Sequence, residues 1–202
     1  MIAIIDYGMG NLKSVVNACH ALGHEVIITA QKKRIQEADH LILPGVGAFP
    51  DCMENLAAQG LIDVIKHEVQ NNKPLLGICL GMQVLFEQSD EVRPCAGLGL
   101  FKGKITKMHD DTVKIPHIGW NRLEYKDSDP MLKGLNHPFV YYVHSYYASG
   151  YEESDLIASS NYGSLQIPGA FRKNNLWATQ FHTEKSGNDG LTILQNFLET
   201  TQ

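Results

Sequence analysis

The chain reads as an α/β protein, with a mostly parallel central sheet flanked by helices and a β-rich, mixed C-terminal half. Two observations predict this. In the N-terminal half, short apolar runs alternate with helix-length amphipathic segments, and apolar runs without polar alternation mark strands buried on both faces of a parallel sheet. From about Leu98 the texture changes to short alternating runs broken by turn residues, the period-two pattern of half-buried strands.

Taken in order, IAIIDY opens as a strand and LKSVVNACHAL follows as a helix whose Leu12, Val15, Val16, Cys19 and Leu22 share one face. That spacing makes Cys19 a core residue. The strand EVIIT, helix KKRIQEA and strand HLILP continue the alternation, and a helical stretch from residue 51 to about 70 leads into the strand PLLGI. LGMQVLFEQ then has the apolar spacing of a helix. In the second half GLGLFKGKITKM, VKIPHIGWNRLEY, FVYYVHSYYASG and LWATQFH read as strands, with turn residues at 127–130 and 173–175. LTILQNFLE closes the chain as an amphipathic helix that should pack back on the sheet. No linker, repeat or low-complexity stretch intervenes, so 1–202 reads as a single domain.

Composition narrows the function. With 202 residues, 44% hydrophobic and 19% charged, the chain can bury a substantial core. A formal net charge of -5 without a Lys/Arg block gives no footprint for nucleic acid or anionic membrane. MIAIIDYG lacks a basic leader, and no uncharged apolar run approaches the ~20 residues of a membrane span; a cytoplasmic location is expected. The cysteines at 19, 52, 79 and 95 form no C-x-x-C pair, which argues against a zinc site or a disulfide framework. Four reduced thiols are expected.

Chemistry is expected at Cys79. The run PLLGI ends in a turn that carries Cys79 between Gly77 and Gly81, before an apolar helical pattern. A cysteine at such a strand-turn-helix is lifted clear of the sheet, the glycines sparing a clash. A helix N-terminus there favours a thiolate. The plainer alternative is a small buried hydrophobe at a strand end. A cysteine nucleophile needs a histidine to move its proton and a third group to orient the ring. His182 ends the LWATQF strand and Glu184 follows it, within reach of the imidazole; the dipeptide alone would equally suit a solvated strand end. His109, His117, His137 and His144 remain possible site neighbours. Backbone donors for a tetrahedral oxyanion are available at Leu80, directly after the cysteine, and at Val46 in the glycine-rich LPGVGAF, which could also be a plain turn. Neither GVGAF nor GMGNLK completes a phosphate-binding G-x-G-x-x-G.

With GICLGMQ, LPGVGAF and QFHTEKS together, the chain resembles the class I (triad) glutamine amidotransferases, and DYGMGNLKS, PHIGWN and YYVHSYY extend that likeness over its whole length. The resemblance implies a flavodoxin-like fold in which Cys79 attacks the side-chain amide of glutamine, forms a γ-glutamyl thioester and releases ammonia. His182 would serve as acid and base, and Glu184 would orient it. It further implies an oxyanion hole from the Val46 and Leu80 amides, and substrate contacts from Gly47, Gln83, Glu91, Ser145 and Tyr146. No cofactor or metal is implied. The implied partner is a (β/α)8-barrel cyclase subunit in a heterodimer, with Trp120, Tyr141 and Lys185 in the docking surface. A stand-alone cysteine amide hydrolase and a non-enzymatic oxidation sensor are the rival readings. One departure is visible: the family usually has proline between His and Glu, and here it is Thr183, which should leave that loop freer.

Overall fold

The computed structural model describes residues 1–125 and 129–200. The N-terminal half alternates as expected: β1 (Ile2–Ile5), α1 (Leu12–Ala21), β2 (Val26–Thr29), α2 (Lys32–Glu37), β3 (His40–Gly45), α3 (Phe49–Ala58), α4 (Ile62–Gln70), β4 (Leu75–Cys79) and the one-turn α5 (Leu80–Gln83). The second half holds β5 (Gln88–Ser89), β6 (Cys95–Ala96), β7 (Lys104–Lys107), β8 (His117–Arg122), β9 (Glu124–Tyr125), β10 (Phe139–His144), β11 (Tyr146–Ser149), β12 (Leu156–Tyr162), β13 (Leu165–Lys173) and β14 (Leu176–Thr179). Helix α6 (Gly187–Leu198) closes it.

Eight strands form the main sheet in the order β2-β1-β3-β4-β14-β13-β12-β9. The five from β2 to β14 are parallel, and β13, β12 and β9 continue antiparallel. Two small sheets, β10-β8 and β11-β7-β5-β6, stand beside it. The parallel strands are buried on both faces: Ile2, Ile4, Ile42, Leu76 and Ile78 join the core beneath α1 and α6, while Ala3, Ile5, Leu41, Leu43 and Leu75 face the core beneath α2, α3 and α4. Complete burial of one such Ile or Leu contributes about 1.5–3 kcal/mol. That double burial explains the missing polar alternation.

Three expectations are corrected. The stretch from residue 51 to 70 is two helices, because Gly60 adopts φ 63 and the Gly60 and Leu61 amides turn back to the Ala57 and Leu56 carbonyls, a glycine C-cap. The LGMQVLFEQ helix lasts one turn. Its Val84, Leu85 and Phe86 are buried, but their carbonyls accept from the amides of residues 98–101, so the loop replaces the next helical turn. FVYYVHSYYASG is not one strand either: Ser145 is the joint at which the chain leaves β10 for β11 in a different sheet. Of the expected turn at 127–130, Asp127 and Ser128 lie outside the described residues. Pro130–Leu132 forms a single 3-10 turn capped by Asp129, whose Oδ1 accepts from the Met131 amide at 2.9 Å.

Candidate active site

Cys79 ends β4, a parallel strand held between β3 and β14, and turns the chain into α5 with φ 57 and ψ -112. A non-glycine residue there is strained and persists only when its surroundings hold it. What holds it is backbone packing. A Cβ on Gly81 would lie 1.7 Å from the Leu43 carbonyl oxygen, and one on Gly77 would lie 2.8 Å from the Gly81 carbonyl oxygen. Both glycines around the cysteine are therefore close-approach positions. Gly45 pairs with Cys79 across β3 and β4, which sets the Val46 amide beside the sulfur-bearing turn.

His182 reaches the same strand ends from β14. Its amide donates to the Tyr141 carbonyl at 3.0 Å, an isolated antiparallel β-bridge that ties this segment to β10. Its Nδ1 meets Glu184 Oε1 at 2.7 Å, and both side chains are almost wholly buried. The other ring nitrogen, Nε2, is buried, and the group it interacts with is the Cys79 thiol. Burial pulls the imidazole down, but hydrogen bonding and charge attraction to Cys79 and Glu184 outweigh it and push the ring up to about 10.

A cavity of about 480 Å³ opens over these groups. Val46, Gly47, Cys79, Leu80, Gln83, Glu91, Ser145, Tyr146 and His182 all line it, so the residues expected at the site meet around one space, with Glu184 behind the imidazole. Cys79 is nearly buried yet opens on this space. Lys185, expected at a docking surface, lines the cavity, whereas Trp120 and Tyr141 stand outside it.

Over residues 3–201 the chain matches the glutamine amidotransferase class-I family. It belongs to that family. The imidazole glycerol phosphate synthase subunit HisH of Bacillus cereus is 52% identical over 198 residues, covering 98% of this chain and 93% of that protein. The protein of the same name from Oceanobacillus iheyensis is 48% identical over 200 residues, covering 98% of each. A crystal structure of a glutamine amidotransferase superposes with a TM-score of 0.78 at 18% identity, covering 98% of both chains, a likeness of fold alone.

A ring of polar groups surrounds the cysteine. Gln83 Nε2 donates to the Tyr146 carbonyl at 3.1 Å and to Gln180 Oε1 at 3.0 Å, and Gln180 Nε2 approaches Cys79 Sγ at 4.0 Å. Glu91 accepts from the Phe49 amide at 2.8 Å at the start of α3, and burial raises its carboxyl. A cationic ligand would offset that cost. Tyr7 fixes the end of β3 by donating to the Pro44 carbonyl at 2.8 Å. Sequence reasoning missed Gln180 and Tyr7, since neither belongs to a catalytic pattern. His144 and His117 stood among the possible neighbours; His144 lines the cavity and His117 lies behind it, whereas His137 bonds Arg122 on the surface.

Proposed function

We propose that this chain is the glutaminase subunit of an imidazole glycerol phosphate synthase, hydrolysing glutamine to glutamate and ammonia and passing the ammonia to a cyclase subunit in histidine biosynthesis. The observation that carries the site assignment is the buried His182–Glu184 pair standing with Cys79 at the floor of one cavity. In this reading the Cys79 thiolate attacks the amide carbon of glutamine, and the Leu80 and Val46 amides receive the developing oxyanion. His182 gives its proton to the leaving nitrogen, so ammonia departs and a thioester remains. The neutral ring then takes a proton from water, which frees glutamate. Gly47, Gln83, Glu91 and the Ser145–Tyr146 backbone would hold the amino-acid end, Glu91 facing the ammonium.

The partner belongs to the same proposal. Ile118 and Trp120 on β8, and Phe139, Tyr141 and Val143 on β10, fall on one face of the two-stranded ribbon, with Tyr141 paired to Trp120 and Val143 to Ile118. Trp120 is 52% exposed and Ile118 58%. Such an apolar face beside the cavity mouth, where Val143 and Lys185 lie, suits the wall of a (β/α)8-barrel cyclase in a heterodimer. Among the described residues no helix is long and apolar enough to cross a membrane, and a cytoplasmic location is part of the reading.

Cyclase turnover supported by glutamine or by ammonium salt, measured with the Cys79→Ala chain and its partner, tests this. Loss of the first with retention of the second is expected. Glutamine hydrolysis that is fast without a partner and unaltered by it would favour a stand-alone hydrolase.

A further inference from the structure

Two buried histidines outside the proposed triad make one connected structure with the wall of the cavity. His144 Nδ1 lies 2.8 Å from the Tyr146 carbonyl oxygen, and His144 Nε2 lies 3.2 Å from His117 Nδ1. The protons can be placed by elimination. A carbonyl only accepts, so His144 Nδ1 carries hydrogen; a neutral His144 then accepts at Nε2, and His117 must donate from Nδ1. Stacking between Tyr142 at 4.6 Å and Tyr162 at 3.9 Å holds the plane of the His117 ring. Its own Nε2 is buried, and the Asn121 side chain is the further polar group that interacts with the ring.

We infer that His144, holding the Nδ1–H tautomer against the Tyr146 carbonyl with His117 donating to its other nitrogen, is a positioning residue that fixes the Ser145–Tyr146 backbone against the amino-acid end of glutamine. This rests on the glutaminase reading above. Ser145 is the joint between two sheets, where strand pairing alone does not fix the chain. Its carbonyl accepts from the Met108 amide at 2.9 Å, and the Tyr146 carbonyl takes two donors, His144 and Gln83. Through Gln83 and Gln180 that carbonyl is linked to the neighbourhood of the Cys79 sulfur. Losing the His144 donor leaves the segment one hydrogen bond short, an effect of about threefold to tenfold on substrate binding. It should appear in KM and hardly in kcat, because the Tyr146 carbonyl is not where charge develops.

The test compares His144→Asn with His144→Gln in the complex with the cyclase subunit. Asn can place an amide N–H where Nδ1 stands, whereas Gln reaches the position of Nε2. Labelling of Cys79 by 6-diazo-5-oxo-L-norleucine, which carries the amino-acid end, is measured beside labelling by iodoacetamide, which lacks it. Expected for His144→Gln is a threefold to tenfold rise in glutamine KM and a matching loss of norleucine-analogue labelling, with iodoacetamide labelling within twofold of the parent. His144→Asn should recover most of the loss. Equal slowing of both reagents, no slowing of either, or an Asn variant as impaired as Gln would overturn the inference. Parent complex that the analogue does not label at Cys79 would instead sink the glutaminase reading, and this inference with it.

Discussion

Gly81 and Leu43 touch backbone to backbone: a Cβ on Gly81 would stand 1.7 Å from the Leu43 carbonyl oxygen. Neither partner is a flexible side-chain tip, so the contact cannot be relieved locally. Gly81→Ala should therefore push α5 off β3, relax the strained turn at Cys79 and cost more than about 3 kcal/mol. A urea midpoint close to the parent's, with normal Cys79 alkylation, would refute this.

In the proposed reaction the His182–Glu184 pair should set the alkaline limit of activity. With hydrogen bonding and attraction from Cys79 and Glu184, His182 stays protonated up to about 10 and can supply the leaving nitrogen with a proton. Glu184→Gln keeps the shape and an oxygen to accept from Nδ1 but loses the charge. The alkaline limb of glutamine-supported turnover should then move to lower pH and the rate should fall, with ammonia-supported turnover unchanged. His182→Asn removes the proton carrier altogether, for a loss of about 10²–10⁴. Profiles of kcat against pH for the two variants decide it; an unmoved limb in Glu184→Gln counts against the pairing.

What was legible in the sequence follows from where local signals and tertiary structure agree. The strands β1, β3 and β4 announce themselves because burial on both faces forbids polar residues, and Cys79 stands out because close backbone approach demands Gly77 and Gly81. Val84 to Phe86 misled because their burial comes from the loop at 98–101, and apolar spacing cannot distinguish that from a helix. The hairpin of β12 and β13 was passed over: Ser159, Ser160 and Pro168 interrupt its alternation, and a register shift near Ala158 breaks the period further. Gln180 and the His117–His144 pair acquire roles only once strands far apart in sequence meet.

The two buried histidines also make stability depend on pH. Burial pushes His144 down to about 3 and His117 down to about 4, while an unfolded histidine titrates near 6.5. Above that value neither state binds the proton and the pair costs nothing. Between about pH 6.5 and 4 the unfolded chain binds protons that the folded chain refuses, so stability falls as pH falls. His182 acts in the opposite sense, because its raised value favours the folded state most below 6.5 and loses that advantage as pH rises towards 10. Comparing variants cancels it. Replacing both His117 and His144 with asparagine should remove on the order of 4 kcal/mol of the loss between pH 7.5 and 5, about 2 from each ring, read from urea midpoints at the two values. An acid slope equal to the parent's would contradict the neutral, buried pair.

Thr183 occupies the place where proline would cost least. His182 before it is extended, with φ -85 and ψ 107, the region a residue preceding proline prefers. Thr183 itself opens the 3-10 turn Thr183–Lys185, where an amide has no acceptor within the turn. Its hydroxyl is buried without a hydrogen-bond partner. Thr183→Pro should thus change glutaminase turnover by less than tenfold and raise stability by about 0.5–2 kcal/mol, by removing the orphaned hydroxyl and stiffening the unfolded chain. A larger fall in turnover, or a lower thermal midpoint, would mean the turn does not have this geometry.

Trp120 should matter to the complex and hardly to the isolated chain. Half exposed, it packs edge-on against Tyr141, its register partner, at 6.0 Å between ring centroids. The aromatic pair stands at the centre of the ribbon face, with Ile118 and Val143 on one side and Phe139 with its register partner Arg122 on the other. Large aromatic side chains in such central positions carry a disproportionate share of binding energy. Trp120→Ala should leave the urea midpoint of the free subunit within about 0.5 kcal/mol of the parent, yet weaken affinity for the cyclase about 30 to 1000-fold by the loss of about 2–4 kcal/mol. Titration calorimetry with the two purified subunits separates the cases. Undiminished affinity would place the cyclase on another face, while weaker affinity joined to a destabilised monomer would make Trp120 a packing residue of the ribbon.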